Sequence, residues 1–229
     1  MVDVYDSLEA ELKAIRTAVG MGEMSPLSKS IVSGPDAGRF VDHLITRDAA
    51  KLAVGRVFYT PWCTAEGKVV GEGLVFRAGE HEYRFTSDPA VAWLSSQAAG
   101  FDVSIEDATG QLGILAVQGP RSREVLERAT GRDWSALDFS RLDRTEIGGV
   151  QVEVARQGFT GERGYEILTP ADGGVAVWDA VAEAGAPAGI RPVGEHAVEV
   201  ARVEAGFLIP SYDYTSAGPD PAGSHTPAA

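Results

Sequence analysis

After Gly55, β-branched or aromatic side chains alternate with other side chains, and this alternation limits the fold more than any other feature. β-Branched and aromatic residues recur with a period of two in four short segments, which is typical of strands. The segments are 57–60, 68–70, 74–77 and 82–86. Because the turns between them, at Gly67 and at 78–81, are short, we predict an antiparallel meander rather than parallel strands joined by crossover helices.

Helical and further strand patterns lie on both sides of this meander. Spacing predicts helices at 7–19, 34–45, 88–99, 120–129, 174–184 and 194–204, and strands at 103–107, 113–117, 144–147, 149–156 and 165–169. Ser7 is the expected N-cap of the first helix and Gly20 its stop. The strand at 113–117 is apolar enough to be central in its sheet. The mixed order of elements predicts an α+β fold with mixed, mostly antiparallel sheets and packed helices.

Charge and composition exclude several partners. The chain has 20 Lys and Arg against 33 Asp and Glu, a net charge of −13, so we expect no nucleic acid partner. No window approaches the ~18 consecutive apolar residues of a membrane span. The first residues carry neither the basic nor the apolar region of a signal peptide. Together with the single cysteine, these features predict a cytoplasmic protein without a membrane partner.

The end of the chain differs in composition from the rest. Residues 216–229 are mostly small and include three prolines, so they cannot bury enough apolar area to order themselves. We therefore predict a flexible tail at 216–229 and a single domain over residues 1–215.

Histidine and cysteine give no sign of a metal site. The four histidines (His43, His81, His196 and His225) lack the spacing of metal ligands, so we expect no metal. Cys63 has no predicted histidine partner. A small buried hydrophobe is its favoured interpretation, and a nucleophile is the alternative.

Three local strings carry more specific information. Tyr59-Thr-Pro-Trp-Cys63 places a rigid proline between two aromatic residues, which suggests a wall on which a flat ligand stacks. The segment 156–166 holds three glycines, two aromatic residues and two carboxylates. Its Glu166 stands at the start of a predicted strand, where a purely structural carboxylate is unfavourable. The third string, 116–120, runs from a strand directly into a helix start.

In this order the strings resemble the folate-dependent aminomethyltransferase family, to which the glycine-cleavage T protein belongs. The matching segments are 32–37, 59–60, 67–70, 116–120, 158–162 with 164–166, and 202–206. The variants at 59–63 and 67–72 are more similar to the branch of tetrahydrofolate-dependent demethylases. The resemblance implies a T-protein-like folate-binding domain that lacks the C-terminal β-barrel of the family.

The resemblance also implies a site for tetrahydrofolate. Glu166 matches a glutamate that grips the amino-pyrimidine edge of the pteridine ring, where a carboxylate accepts two N–H bonds. The other positions implied to bind the cofactor are Tyr59, Phe76, Phe159, Glu162 and Arg202. Tyr59 and Trp62 are the expected contacts of a small one-carbon donor.

The chain departs from the T proteins at three acidic positions. Where they carry an aspartate that assists transfer, this chain has Glu72, the catalytic candidate, which is longer by one methylene. An exposed strand residue is the alternative interpretation of Glu72. Glu11 is followed by Leu12 instead of histidine, and the acid of a further family string falls on Glu23. These differences favour a changed donor over a glycine-cleavage role.

The chain is also shorter than members of the family. We expect an incomplete domain, which is a fragment, a subunit completed by a second polypeptide, or a remnant. The leading hypothesis is a tetrahydrofolate-dependent transferase that moves a methyl or aminomethyl group from a small donor to the folate. The alternative is a non-catalytic folate-binding or scaffold subunit that needs a partner chain.

Overall fold

A computed structural model of the protein describes residues 2–210 and 212–217. The helices in this part of the chain are α1 (Leu8–Thr17), α2 (Ala37–Leu44), α3 (Val91–Gln97), α4 (Ser122–Thr130), α5 (Gly174–Gly185) and α6 (Glu195–Glu204). The strands are β1 (Val19–Glu23), β2 (Ser28–Ser33), β3 (Val57–Cys63), β4 (Val69–Gly79), β5 (Glu82–Ser87), β6 (Ser104–Asp107), β7 (Leu112–Gln118), β8 (Leu142–Ile147), β9 (Val150–Ala155), β10 (Gly164–Pro170) and β11 (Ile190–Pro192).

The chain forms two compact units, and each takes residues from two separate stretches. The first unit comprises 2–26 and 110–207, and the second comprises 27–109 with the described residues from 208 onward.

The first unit is built on a six-stranded sheet of order β11-β1-β7-β10-β9-β8. All neighbouring pairs in this sheet are antiparallel except β1 with β11. One face of the sheet carries the main apolar core, where Val117, Tyr165 and Ile167 pack with residues of α4 and α5. A smaller cluster between α1 and α6 contains Ile15 and Ala201. Only one face of this sheet is therefore given to the main core.

The second unit is built on a five-stranded antiparallel sheet of order β3-β4-β5-β2-β6. Its core lies on one face, where Val75, Tyr83 and Phe85 meet Phe40 of α2 and Leu94 of α3. Side chains on a strand alternate between the two faces, so each neighbour of these core residues points away from the core. The polar residues on that second face include the candidate acid of β4.

The predicted α+β class with mostly antiparallel sheets is confirmed. The meander is confirmed as β3-β4-β5, and β7 is central in its sheet as predicted. The single-domain boundary at 215 stays a prediction. The predicted flexible tail lies outside the described residues, apart from 216 and 217.

Glycine accounts for two wrong expectations. Gly20 is not the stop of α1, which ends at Thr17. It lies inside β1, where a Cβ atom would come within 2.8 Å of Ile15 Cγ1. The predicted strands at 68–70 and 74–77 form the single strand β4, because Gly71 and Gly73 are packing positions and do not break it.

Three strands were not predicted from the sequence. They are β1, β2 and β11. β1 contains two glycines, β2 contains three serines and a lysine, and β11 has only three residues. None of them shows the alternation that indicates a strand. They form strands because they pair with neighbouring strands of the two sheets. None of the described helices combines the length and the apolar character that a membrane span needs.

Glu11 fixes the beginning of the chain to the first unit. This fully buried side chain accepts hydrogen bonds from the backbone N–H groups of Tyr5 (2.6 Å), Asp6 (2.8 Å) and Gly194 (2.8 Å). Burial acts to raise the pKa of Glu11, but the three backbone donors outweigh it and the pKa is lowered. Glu11 therefore stabilises the fold as a carboxylate.

We predict that Glu11→Gln lowers the free energy of unfolding by about 2 kcal/mol at pH 7, because the charged acceptor of three N–H groups is lost. Since the folded-state pKa lies below the ordinary value, this contribution is present above pH ~4.5 and is lost as the pH falls through the folded-state pKa. Urea unfolding at pH 7 and pH 4 measures both effects. Glu9→Gln, an exposed position in the same helix, is the control. An equal stability of wild type and Glu11→Gln at pH 7 would contradict the assignment.

Candidate functional site

Glu72 lies on the face of the five-stranded sheet that points away from the core of the second unit. Its cross-strand partner is Pro61 of β3, and Tyr59, two residues before Pro61, shares the same face. The Tyr59 side chain is 43% exposed, while Glu72 is only partly accessible. The alternative interpretation of Glu72 as an exposed strand residue is therefore not supported.

Two glycines explain how Glu72 is held in place. The Trp62 ring lies across Gly71, where a Cβ atom would come within 2.9 Å of its Nε1. At Gly73 a Cβ atom would meet the carbonyl oxygen of Thr86 at 2.4 Å. Both contacts lie on the core face, so tight packing there fixes the backbone that carries Glu72 on the other face.

Two tyrosine hydroxyls surround the Glu72 carboxyl group. Tyr214 donates a hydrogen bond to Glu72 Oε2 at 3.2 Å, and Tyr59 interacts with the same side chain. Burial raises the pKa of Glu72, hydrogen bonding from the two tyrosines opposes the rise, and the charges of Asp88 and Asp213 add to it. Burial and Glu72 also raise the pKa of Tyr59, and they raise that of Tyr214 to about 12. Glu72 thus retains a proton to higher pH than an ordinary glutamate.

Trp62 does not form a wall with Tyr59. The two residues are three positions apart on a strand, so their side chains point to opposite faces. Trp62 is 2% exposed and packs in the core, stacked on Trp93 at 6.2 Å and edge-on to Phe85 at 5.7 Å. The ring offers no free face, so we expect Trp62 to support Gly71 and not to contact a donor.

Phe76 shares the face of Glu72 but is covered in this structure. The residue is 4% exposed, and the Arg84 guanidinium lies 4.7 Å from the centre of its ring. Arg84 pairs directly with Phe76 across the β4–β5 ladder, so the contact follows from strand register. Contact of Phe76 with a ligand stays a prediction.

In the first unit, Glu166 lies in a row of small residues that runs across the sheet. It stands on the central strand β10, with Ala116 of β7 on one side and Ala155 of β9 on the other. Ala116 in turn faces Gly22 of β1. Adjacent strands lie about 4.8 Å apart, so the small side chains of Ala116 and Ala155 are the nearest cross-strand neighbours of the Glu166 carboxyl. Tyr165 and Ile167, its neighbours in sequence, point into the core on the other face.

Burial raises the pKa of Glu166 to about 7, although the side chain retains some access to solvent. A carboxyl group in this state ionises near neutral pH and has a strong demand for hydrogen-bond donors once ionised. An acid with a strongly perturbed pKa and only small apolar cross-strand neighbours is a candidate ligand-binding position.

The loop that precedes Glu166 folds over Gln118. A Cβ atom at Gly158 or Gly164 would lie within 2.3 Å of Gln118 Oε1, so a larger residue at either position would displace the Gln118 amide. Gln118 also accepts a hydrogen bond from Thr160 Oγ1 at 3.3 Å. The glycines noted in this string therefore serve close packing against a buried amide.

Glu162 is engaged by Arg16 in this structure. Arg16 donates to Glu162 Oε1 at 3.2 Å, to the Thr160 carbonyl at 2.6 Å and to Glu204 Oε2 at 2.6 Å. The arginine thus joins α1, the loop and α6. We expect Glu162 to position the loop, and its predicted contact with a cofactor is untested.

Arg202 and Phe159 are linked through Phe207. Arg202 is 3% exposed, and its guanidinium donates to Glu199 Oε2 at 2.7 Å and to the Phe207 carbonyl at 3.0 Å. Phe207 stacks on Phe159 with ring centres 5.8 Å apart. Arg202 thus holds the turn after α6, and its predicted role beside the cofactor stays a prediction.

Sequence reasoning missed Tyr214. Nothing in its local pattern marks it, because its hydrogen-bond partner Glu72 is 142 positions away in the chain. In the described part of the chain, no three His, Cys, Asp or Glu residues are grouped as metal ligands.

Comparison with known proteins defines the class of this chain. The family model described as the GCVT N-terminal domain matches residues 2–221, so the chain belongs to that family. The resemblance to aminomethyltransferases seen in the sequence is confirmed. The demethylase branch stays a prediction.

Two curated aminomethyltransferases show how much of the relatives' length this chain covers. The aminomethyltransferase of Saccharopolyspora erythraea is 36% identical over 210 residues, which cover 90% of this chain and 57% of the relative. That of Bacillus subtilis is 36% identical over 207 residues, which cover 88% and 57%. The chain therefore spans little more than half the length of these curated relatives.

Solved structures confirm the T-protein-like fold. The glycine cleavage system aminomethyltransferase T from Bartonella henselae matches with a TM-score of 0.81 at 24% identity, covering 90% of this chain and 56% of that one. A chain of the heterotetrameric sarcosine oxidase from Corynebacterium sp. U-96 matches with a TM-score of 0.58 at 19% identity, covering 81% and 95%. At these identities the likeness concerns the fold alone.

We predict that Glu166→Gln stabilises the protein at pH 8 by about 1–3 kcal/mol. The folded-state pKa of about 7 exceeds the ordinary value of 4.5, so ionisation opposes folding as the pH rises through this interval. The neutral amide avoids that cost, and its advantage shrinks toward pH 5. Urea unfolding at both pH values measures it, with Glu146→Gln at an exposed position of β8 as control. No gain at pH 8 would show that Glu166 is not strained by burial.

Proposed function

We propose that this chain binds tetrahydrofolate and acts in the transfer of a methyl or aminomethyl group from a small donor to it. Membership of the GCVT N-terminal domain family supports the class of reaction. The observation that carries the proposal is Glu166, a carboxyl with a raised pKa in a row of glycine and alanine.

The residues around Glu166 suit the pteridine ring. The ring is flat, and the side chains of Ala116 and Ala155 on either side of Glu166 are the smallest that carry a Cβ atom. The amino-pyrimidine edge presents two N–H donors, which match the two oxygens of a carboxylate. Such a contact satisfies an ionised Glu166 that burial otherwise disfavours.

Glu72 is the group proposed to take part in the transfer. Tetrahydrofolate, when bound, supplies a nucleophilic nitrogen that accepts the one-carbon group. Glu72 orients that nitrogen or relays a proton, since its raised pKa lets the carboxyl hold a proton where an ordinary glutamate is ionised. Tyr59, half-exposed on the same face, is the proposed contact of the folate or the donor.

Two roles are compatible with folate binding, and turnover separates them. The chain spans 57% of the length of its curated relatives, so a second polypeptide that supplies further residues is the proposed partner. A binding subunit without catalysis is the alternative. Turnover by the chain alone, or turnover restored by a co-purifying second chain, supports the transferase. Binding without turnover under both conditions supports the binding subunit.

We predict that tetrahydrofolate binding, measured anaerobically by titration calorimetry, becomes about tenfold tighter between pH 6 and pH 8. The reason is that only the ionised fraction of Glu166 accepts both N–H bonds, and this fraction rises through the pKa of about 7. Glu166→Ala weakens binding by at least tenfold at pH 8 and removes the pH dependence.

Glu146→Ala, which removes an exposed glutamate of the same sheet, is the matched control and leaves binding unchanged. The proposal is wrong if tetrahydrofolate does not bind, or if wild type and Glu166→Ala bind it equally well.

A further inference from the structure

The segment that follows Phe207 is part of the second unit and returns along β4. The N–H of Ala217 donates to the carbonyl of Val69, at the start of that strand, at 2.6 Å. We call the described residues 208–210 and 212–217 the return segment. Its course brings a part of the chain distant in sequence beside the strand that carries Glu72.

A local turn sets the position of Tyr214 within the return segment. The Ile209 N–H donates to Asp213 Oδ2 at 2.8 Å, and the Asp213 N–H donates to the Ile209 carbonyl at 3.1 Å. Pro210 and Tyr214 form an isolated β-bridge. These contacts restrain the backbone immediately before the Tyr214 side chain, so its hydroxyl reaches Glu72 from a defined direction.

Glu72 therefore meets phenol groups from two independent parts of the chain. Tyr59 comes from β3, and Tyr214 comes from the return segment. A glutamate side chain has three rotatable bonds, and a single donor leaves its carboxyl free to rotate about the hydrogen bond. The hydrogen bond from Tyr214, on a separate part of the chain from the interacting Tyr59, therefore restrains the position and orientation of the carboxyl group.

We propose that Tyr214 is a positioning residue that holds the Glu72 carboxyl group in its working orientation. Its importance for catalysis rests on the function proposed above, but the contact itself does not. Tyr59 remains the partly exposed neighbour available to a ligand, whereas Tyr214 acts through Glu72.

Several ionisable groups lie near Glu72 and Tyr214 and affect their pKa values. Asp88, after β5, and Asp213, in the return segment, add negative charge near Glu72, while Cys63 at the end of β3 lies near Tyr214. Against these charges, the two hydroxyl donors are the groups that favour the ionised form of Glu72. Removal of one donor should therefore raise the pKa of Glu72 further.

The test is a ¹³C NMR titration of the full chain labelled at the glutamate carboxyl carbons, with the Glu72 signal assigned from Glu72→Gln. In Tyr214→Phe we expect the titration midpoint of Glu72 to rise by about 0.5–1 pH unit. Phenylalanine keeps the ring, so the fold is retained and circular dichroism checks this. Tyr212→Phe, at a 68% exposed residue of the same segment, should leave the midpoint unchanged.

An unchanged Glu72 midpoint in Tyr214→Phe, or an equal rise in Tyr212→Phe, would overturn the proposal. Where turnover is measured, Tyr214→Phe should lower kcat about tenfold with the KM for tetrahydrofolate unchanged, and shift the pH profile in the same direction as the NMR midpoint. Absence of tetrahydrofolate binding in calorimetry would count against the proposed function alone, because the NMR midpoint reports the Tyr214–Glu72 contact directly.

Discussion

Both candidate acids depend on the alternation of side chains along a β-strand. In β10, Tyr165 and Ile167 are buried in the core, and the residue between them must point the other way. In β4, Gly71 and Gly73 close the core face against Trp62 and Thr86, and Glu72 is thereby turned outward. The same rule acts twice, once in each unit. The apolar packing that stabilises each sheet is thus also what holds its carboxylate in place.

Electrostatics sets the two acids apart from the structural carboxylates. Glu11 is fully buried but accepts three backbone N–H bonds, and its pKa is lowered. Glu166 has small apolar neighbours on both sides and a pKa raised to about 7. A protein tolerates such an unfavourable group when a ligand supplies the missing donors. The contrast supports a structural role for Glu11 and a binding role for Glu166.

Sequence patterns predicted the parts of the fold that depend on the alternation of apolar and polar residues along the chain. The period of two in β3, β4 and β5 revealed the meander, because alternate residues of these strands, among them Phe58, Val75 and Phe85, pack into one core. Glycines gave wrong predictions where the reason for them is a tertiary contact: Gly20 makes room for Ile15, and Gly71 makes room for the Trp62 ring. The sequence alone cannot separate these glycines from breaks or caps.

The site was predictable to a similar degree. Glu166 stood out by its place at the start of a strand and Glu72 through the family resemblance, and the structure places each on the face opposite its core. The pairing of Tyr59 with Trp62 failed because residues three apart on a strand face opposite ways. The contact of Tyr214 with Glu72 could not be predicted from the sequence, because only folding brings these distant residues together.

The proposed binding role of Glu166 rests on a strained carboxyl that a folate ligand would relieve. The most direct measurement is the titration of its ¹³C carboxyl signal by NMR with and without saturating tetrahydrofolate under anaerobic conditions. We expect a midpoint near 7 in the free protein and a clear fall when tetrahydrofolate is present, since the ring's N–H donors favour the ionised form. A free-protein midpoint at the ordinary value of 4.5, or a midpoint that does not move with tetrahydrofolate, would contradict it.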